Sequence, residues 1–300
     1  MATQTTDLTP APGPAVLIEE IRVAVPERGL RHDLRAVIII WRHELIRFRT
    51  DRLRAITALV QPVLFLFVLG TGLSALAGRS LPPGVDFKTF IYPGVLAMSV
   101  LFTAIFSAAS IVWDREFGFL REILVAPVGR ASIVIGKCLG GATIATFQGV
   151  IFLVLAGLAH VPYNPLLILT LIGELLLLSF TLTAFGVMMA ARIKQFQAFM
   201  ALTQMLVMPL FFLSGALYPL NGLPTWLTVL TRIDPLTYVV GPMRQAVFTH
   251  LSLPAAVDAK LAPAISWGGW QVPLWLSLGI VAVMGLGMMS VAIAEFRKTE

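Results

Sequence analysis

Few residues of this chain carry side chains that could support catalysis, metal binding or nucleotide binding. The four histidines stand at positions 32, 43, 160 and 250, and no HExxH or comparable spacing occurs, so the sequence predicts no metal centre. One cysteine, Cys138, excludes an internal disulfide. The only Gly-Lys pair, Gly136-Lys137, lacks the following Ser or Thr and the glycine spacing of a P-loop. We therefore expect no cofactor in this chain.

A charged segment between two apolar runs is the strongest candidate for a binding element. Residues 113–127 read Trp-Asp-Arg-Glu-Phe-Gly-Phe-Leu-Arg-Glu-Ile-Leu-Val-Ala-Pro, with three acidic and two basic residues set among large apolar ones. A short helix with this pattern has one charged and one apolar face. Such a helix, lying on a membrane surface, is suited to gripping a soluble partner.

The composition places these residues in a membrane protein. The chain has 300 residues, 57% of them hydrophobic and 13% charged, with a mean hydropathy of +0.86. The first twenty residues lack the basic-then-apolar order of a cleavable signal peptide, and we interpret residues 1–29 as a disordered cytoplasmic tail. The net charge of +6 follows membrane topology, so a nucleic-acid partner is not expected.

Six segments are apolar and long enough to span a membrane. Their predicted bounds are about 55–77, 89–113, 132–159, 166–191, 197–216 and 272–294, within one six-helix transmembrane domain at 55–300. The uncharged stretch from 196 to 231 is too long for one helix and is broken by Pro and Gly. It predicts a fifth span followed by a re-entrant outer helix pair at 217–250.

The distribution of positive charge predicts the orientation. With both termini in the cytoplasm, 17 of the 22 Lys and Arg lie on the inner side. Before the first span, Leu34, Ile38, Trp41, Leu45 and Phe48 recur at helical spacing among arginines, which predicts an amphipathic helix at 30–54 along the inner leaflet. We interpret it as a membrane anchor, with partner binding as the alternative. The fold class is therefore all-α and integral to the membrane.

Three polar features lie inside or beside the spans. Gly136 and Gly140 form a small-xxx-small pair that predicts close helix packing, with Lys137 snorkelling to water. Glu174 is an intramembrane acid, either functional or bonded within the bundle purely to hold it together. At the outer rim we expect Arg232 and Asp234 to form a solvated pair.

Several of these stretches together resemble one family. Asp114 to Pro127, Phe212-Leu-Ser-Gly-Ala-Leu-Tyr-Pro219, Leu223-Pro-Thr-Trp226, Asp234-Pro-Leu-Thr-Tyr238 and Tyr92-Pro-Gly94 are similar to segments of the type-2 ATP-binding-cassette exporter permeases. The pattern is closest to their daunorubicin-resistance and nodulation-factor export branch. The resemblance extends from about residue 34 to the C-terminus.

The resemblance implies roles for named residues. Residues of the charged segment would form a coupling helix seated in an ATPase subunit, with helix 30–54 as the connecting helix beside it. These coupling residues are Asp114, Arg115, Glu116, Phe117, Gly118, Phe119, Leu120, Arg121, Glu122, Leu124 and Pro127. The second and fifth spans would line the path, where Met98, Phe102, Phe106, Met205, Met208 and Phe212 recur at helical spacing. The re-entrant pair would form an outer gate that contains Gly215, Tyr218, Pro219, Leu223, Pro224 and Trp226.

The expected assembly follows from the same resemblance. Two permease subunits, in the simplest case a homodimer, would lie among the lipids of the bacterial cytoplasmic membrane. Two copies of a separate ATPase, which bind ATP and Mg, would join them. The expected cargo is an amphiphilic small molecule, a drug or a lipid. The alternatives are export of a lipid-linked polysaccharide and, from a different class, an intramembrane transferase, which would need a cluster of acids or histidines at one membrane depth.

Overall fold

The computed structural model describes residues 29–77, 86–117, 129–220, 222–251, 265–267 and 270–298. Six helical segments within these ranges are long and apolar enough to cross a membrane, as the sequence predicted. They are the first to sixth spans: Ile56–Ser74, Phe87–Glu116, Arg130–Ala159, Pro165–Arg192, Phe196–Leu213 and Leu274–Lys298. Helices are the expected outcome because a lipid-embedded backbone must satisfy its hydrogen bonds internally.

Eleven α-helices within the described ranges build this architecture. They are α1 (Leu30–Thr50), α2 (Arg52–Leu64), α3 (Gly70–Ala77), α4 (Phe87–Ser107), α5 (Ala109–Glu116), α6 (Arg130–Leu153), α7 (Pro165–Arg192), α8 (Phe196–Leu213), α9 (Thr225–Ile233), α10 (Thr237–Thr249) and α11 (Leu274–Lys298). A π-helical turn, Phe65–Leu69, joins α2 to α3, and a 3₁₀ segment, Val154–Ala159, extends α6. Two short antiparallel strands, β1 (Ser266–Trp267) and β2 (Trp270–Gln271), pair Trp267 with Trp270.

The second span is the central helix of the bundle. In its most apolar window 89% of the residues are buried, against 17% in the first span and 22% in each of the fifth and sixth. The main apolar core forms around its residues from Phe87 to Ile105 and includes Leu171, Leu175 and Phe248 of neighbouring helices. The second span therefore packs mainly against protein, while the first, fifth and sixth spans leave broad faces for lipid or a partner.

Helix α1 packs against the third span. A Cβ on Gly136 would lie 2.8 Å from Ile40 Cβ, and one on Gly140 would lie 2.7 Å from Glu44 Cβ, so only glycine permits this approach. The close packing predicted for this glycine pair is confirmed, and its partner is α1. Leu34 and Ile38 remain exposed on α1, which leaves an apolar surface for contact with lipid.

Several boundaries differ from the sequence prediction by up to four residues, the largest difference being the end of the sixth span at Lys298 rather than 294. The second span does not end at residue 113: helix α5 carries Asp114, Arg115 and Glu116 in its last turn. The fifth span ends at Leu213 rather than 216, because the chain turns through Gly215 at a φ of 71°. Of the predicted coupling residues, Gly118, Phe119, Leu120, Arg121, Glu122, Leu124 and Pro127 lie outside the described residues, as does the predicted tail except for Gly29.

Two helices, α9 and α10, occupy the outer region predicted as a re-entrant pair. Helix α9 exposes Trp226, Val229, Leu230 and Ile233 along one stripe at spacings of three and four. Helix α10 instead buries most of its side chains, including Tyr238, Met243 and Phe248. The helix pair exists, and its depth in the membrane stays a prediction.

Candidate functional site: a charged junction at the end of the second span

Lys137 lies at the centre of a buried ionic cluster. Its Nζ is 2.7 Å from Glu44 Oε1 on α1 and 2.8 Å from Asp114 Oδ2 at the end of the second span. It also donates to Ser110 Oγ at 3.2 Å. Only 8% of Lys137 and 6% of Glu44 is exposed, so the prediction that this lysine snorkels to water was wrong. Two carboxylates within ion-pair distance hold the ammonium inside instead.

Arg115, the next residue along the second span, contacts a different helix. Its Nη1 donates to the carbonyls of Ala190 (3.1 Å), Ala191 (3.1 Å) and Ile193 (3.0 Å) at the end of the fourth span. The last carbonyls of a helix have no partner within the helix and carry partial negative charge. The guanidinium therefore caps the fourth span while its own charge is stabilised. It also lies 5.6 Å from the ring centroid of Phe296 in the sixth span.

Glu116 contacts a third helix. Its Oε2 accepts a hydrogen bond of 2.7 Å from the backbone N–H of Phe196, the first residue of the fifth span. A carboxylate at a helix N-terminus satisfies a free N–H group and faces the positive end of the helix dipole. Trp113 strengthens the same contact, because its ring lies 5.1 Å from that of Phe196 and 4.5 Å from that of Phe117.

Three consecutive residues thus hold three different neighbours of the second span. We call this group the charged junction: Glu44, Arg47, Asp114, Arg115, Glu116 and Lys137. Arg47 joins it from α1, with Nη1 3.7 Å from Asp114 Oδ1. The junction bonds the last turn of the second span to α1 and to the third, fourth and fifth spans.

The structure gives three predicted coupling residues internal contacts. Sequence reasoning placed Asp114, Arg115 and Glu116 on a surface helix facing a partner, but their described polar contacts lie within this chain. Glu44 and Arg47 were missed because α1 was interpreted mainly as a membrane anchor. The sequence did contain a signal for this contact. Glu44 is an acid on one predicted helix, and Gly136 and Gly140 form a glycine face beside Lys137 on another.

A cleft opens beside the junction. Three adjoining cavities of about 320, 360 and 610 Å³ share Arg47, Phe106, Ser110, Trp113 and Asp51 among their lining residues. Their walls come from α1 and from the first, second, third and fifth spans. We call these cavities together the inner cleft. Its charged residues include Glu44, Arg47 and Asp51 in or just after α1 and Asp114 at the end of the second span, while the rest of the first cavity is lined by uncharged side chains.

The predicted path residues separate into three groups. Phe102 and Phe106 line the inner cleft. Met205, Met208 and Phe212 lie on the outward face of the fifth span, with Met205 72% exposed. Met98 is fully buried in the core, because neighbouring helices cover it on every side, so its side chain cannot touch cargo in this conformation.

Glu174 lies buried in the fourth span with both carboxylate oxygens free of hydrogen-bond partners in the described part of the chain. The buried side-chain amide of Gln148 in the third span likewise has no hydrogen-bond partner among the described residues. An unpaired buried polar group carries a desolvation penalty, so an acid here is costly to keep. Within the described residues, the structure therefore shows no hydrogen bond by which Glu174 would hold the bundle together, and the role of Glu174 stays a prediction.

The outer end of the fifth span is held by a buried arginine. Arg244 of α10 donates through Nη2 to the carbonyls of Gly215 (2.7 Å) and Ala216 (3.1 Å), and its guanidinium lies 4.3 Å from the ring centroid of Phe90. Burial lowers the pKa of Arg244 to about 10, which still leaves it charged at neutral pH. The turn packs so closely on the second span that a Cβ on Gly94 would lie 2.5 Å from Ala216.

Most of the predicted gate residues lie further out than this contact. Gly215 is buried within it, and Tyr218 donates to the carbonyl of Phe212 at 2.8 Å. Pro219, Pro224 and Trp226 are exposed and Leu223 is half-buried. Sequence reasoning counted Arg244 only as an outer charge, although its position in an otherwise uncharged stretch could have marked it.

Asp234 is buried, and the prediction of a solvated pair with Arg232 was wrong. Only 3% of Asp234 is exposed. Its oxygens accept hydrogen bonds from the Leu236 N–H (3.0 Å) and the Thr237 hydroxyl (3.3 Å), which closes the turn into α10. Burial raises the pKa of Asp234 to about 8, and these two hydrogen bonds limit the rise.

The described residues contain no group of three or more His, Cys, Asp or Glu arranged to hold a metal ion. The arrangement is suited to joining helices and transmitting movement. Its polar groups are engaged with one another or with helix ends.

The chain is similar to known transport permeases over most of its length. It is 26% identical to a putative transport permease, ycf38, of Cyanophora paradoxa across 73% of this chain and 76% of that protein. It is 30% identical to the probable multidrug ABC transporter permease YbhR of Escherichia coli K12 across 72% of this chain and 54% of YbhR. Nodulation protein J of Rhizobium leguminosarum bv. trifolii is 27% identical across 71% of this chain and 81% of that protein.

The family model for the ABC-2 type transporter matches residues 35–248. That range includes most of α1, five of the six spans, the charged junction and both outer helices. The chain is a multi-pass membrane protein and belongs to the ABC-2 type transporter family, as a transport permease subunit of an ABC transporter.

Proposed function

We propose that this chain is the membrane subunit of an ATP-driven exporter that moves amphiphilic small molecules, drugs or lipids out across the bacterial cytoplasmic membrane. Two copies of the chain form the permease, and two copies of a separate ATPase, with ATP and Mg, drive it. Both termini lie in the cytoplasm, as the distribution of Lys and Arg favours. The names of YbhR, a probable multidrug permease, and of nodulation protein J support a transport role.

The charged junction is the observation that carries this proposal. A permease that depends on a separate ATPase needs a stiff connection between the docking segment and the helices that move. Asp114, Arg115 and Glu116 stand immediately before that segment and bond to separate neighbours. When the ATPase moves the segment at 117–127, the ends of the third, fourth and fifth spans and α1 move with it.

The inner cleft supports a small amphiphilic cargo. Its first cavity, of about 320 Å³, lies within the range of small-molecule sites, roughly 300–1,000 Å³. Charged residues line it at α1, and Phe102 and Phe106 line it on the second span, which suits a molecule with one polar and one apolar end. A lipid-linked polysaccharide needs a longer polar track, so this observation favours the small amphiphile.

Reversing a charge in the docking segment tests the coupling. In the reconstituted complex with its ATPase, Glu122→Arg is expected to preserve the folded permease while ATP hydrolysis no longer drives export. The same charge change at Glu20, in the N-terminal segment, is the control and should leave export unchanged. Transport at the wild-type rate by Glu122→Arg would contradict the assignment of residues 117–127 as the docking segment.

A further inference from the structure

The buried apolar residues of the described chain form two clusters, and each of the second to sixth spans contributes to both. The main core described above, here the outer core, holds the second span up to Ile105. The smaller cluster, here the inner core, includes one or more residues of each of these spans, among them Ala108, Val134, Val187, Phe199 and Ala292. A close-packed core resists deformation and tends to move as one body. Movement within the bundle is therefore least opposed at the boundary between the two cores.

The second span is interrupted at this boundary. Helix α4 ends at Ser107 and α5 begins at Ala109. The N–H of Ala108 bonds to the carbonyl of Ile105 at 3.2 Å, and the N–H of Ile111 bonds to that of Ala108 at 3.0 Å, three residues back instead of four. Hydrogen bonds of this 3₁₀ type inside a helix often mark a hinge, because small changes of φ and ψ interconvert them with the α pattern. The second span can therefore bend here at low cost.

Two glycines of neighbouring spans pack against the interruption. A Cβ on Gly186 of the fourth span would lie 3.0 Å from the carbonyl oxygen of Ile105. A Cβ on Gly141 of the third span would meet the hydroxyl of Ser107 and would lie 2.6 Å from Thr183 Cγ2. Because glycine has no side chain to interlock with its neighbour, the helices meet at both points through their backbones.

The fifth and sixth spans also carry a small residue between the two cores. On the fifth span Thr203 lies between Phe199 of the inner core and Val207 of the outer core, and on the sixth Gly285 takes the equivalent position. The hydroxyls of Thr183 and Thr203 are buried and have no hydrogen-bond partner within the described ranges. An unpaired buried hydroxyl costs free energy, so these groups do not stabilise the present arrangement. We call the following residues the small-residue layer: Ser107, Gly141, Thr183, Gly186, Thr203 and Gly285.

The charged junction contacts the inner core. Arg115 donates to the carbonyls of Ala190 and Ala191, which belong to this core, and lies beside the ring of Phe296, which also belongs to it. Glu116 bonds to the first residue of the fifth span, three residues before Phe199. A movement of the proposed docking segment at 117–127 would therefore reach the inner core before the outer one.

We propose that the small-residue layer is a hinge across the permease. The inner core and the charged junction turn as one body against the outer core, and the second span bends between Ser107 and Ala109. Because Phe106 and Ser107 line the first cavity, this movement changes the width of the inner cleft, while the outer contact made by Arg244 is kept. The inference rests on the proposed export function and names the part of the chain that turns ATPase movement into opening of the cleft.

A reversible disulfide across the layer tests the hinge. A Cβ on Gly186 would lie 3.1 Å from Ala108 Cβ, slightly closer than the roughly 3.5–4.5 Å of disulfides, so Ala108→Cys with Gly186→Cys can form one after a small adjustment. The background is Cys138→Ser, which removes the only cysteine of the chain. In the reconstituted complex with its ATPase, oxidation of the pair should abolish export and reduction should restore it. Recovery on reduction separates a blocked hinge from a misfolded chain.

Ile40→Cys with Gly136→Cys, in the same background, is the matched control. A Cβ on Gly136 would lie 2.8 Å from Ile40 Cβ, so this disulfide joins α1 to the third span, which Lys137 and Glu44 already hold together. Both elements belong to the moving inner part, so the oxidised control should export as its reduced form does. Equal loss of export in the control would contradict movement of the inner part as one body. Export by the oxidised Ala108/Gly186 pair at the rate of its reduced form would refute the hinge and leave the exporter standing.

Hydrogen–deuterium exchange of the full chain in nanodiscs tests the hinge without the ATPase. The stretch 105–111 should exchange faster than 95–104, although both are mostly buried, because amides at a hinge open more often than those of a packed helix. Equal exchange of the two stretches would overturn the proposal. If 105–111 exchanges faster but the complex exports no amphiphile, the export function fails and the hinge stands.

Discussion

Replacing Lys137 by methionine tests whether the charged junction stabilises the permease. The substitution keeps the length of the side chain but removes the ammonium that pairs with Glu44 at 2.7 Å and Asp114 at 2.8 Å. Because Glu44 and Lys137 are almost fully buried, the carboxylates lose their partner without gaining water. Breaking one side of a buried ion pair costs about 3–5 kcal/mol. We expect a loss of that order in the free energy of unfolding.

The measurement is the thermal stability of the purified chain in nanodiscs, followed by tryptophan fluorescence. Lys194→Met is the matched control, since Lys194 is exposed, and it should change stability by less than about 0.5 kcal/mol. A triple variant, Lys137→Met with Glu44→Gln and Asp114→Asn, removes all three charges and should recover much of the loss, because buried pairs often exchange for neutral groups at little cost. Equal stability of Lys137→Met and Lys194→Met would refute the reasoning.

Three further predictions concern other contacts. Gly140→Val should loosen α1 from the third span, because its Cβ would lie 2.7 Å from Glu44 Cβ. Limited proteolysis should then cut α1 faster than in the control Gly173→Val, where the added Cβ meets open space. Equal rates of cleavage would exclude this effect. Arg244→Met should free the turn at Gly215 and Ala216 and destabilise the chain by about 2–4 kcal/mol, measured as a lower melting temperature; an unchanged value would contradict the contact's importance. Burial raises the pKa of Asp234 in the folded chain to about 8, above its ordinary value of 3.8. Its contribution to stability is therefore full below about pH 4 and falls between about pH 4 and pH 8, by at most about 1.4 kcal/mol per pH unit, before it levels off. Asp234→Asn should remove this slope in melting curves recorded from pH 5 to pH 9, and a slope that persists would assign it to other groups.

The spans could be predicted from sequence because each is a local property. An apolar run of about 20 residues in lipid must close its own backbone hydrogen bonds, so its helical structure does not depend on its neighbours. The prediction therefore located all six spans to within a few residues at most ends. The end of the fifth span was misplaced by three residues, because Gly215 and the turn after Leu213 depend on the carbonyl contacts of Arg244.

The junction could not be predicted in the same way because its partners are distant in sequence. Asp114 reads locally as a surface charge, yet its ammonium partner lies 23 residues away. Arg115 and Glu116 likewise read as exposed, although helix ends 75 to 80 residues later engage them. The proposed docking segment at 117–127 would face a second protein, and one sequence does not contain that partner.

These sequence separations also bear on how the chain is made. When the second span leaves the ribosome, Arg47 has been synthesised, but Lys137, which will pair with Asp114, and the helix ends that will engage Arg115 and Glu116 have not. At a synthesis rate of about 5–20 residues per second, the roughly 80 residues from Glu116 to Phe196 take on the order of 4–16 s to appear. During that interval Arg115 and Glu116 lack the helix ends that engage them in the folded chain, and unpaired charged side chains favour water over the apolar interior of the membrane. The contacts of Arg115 and Glu116 with the fourth and fifth spans can therefore form only after those spans have been made.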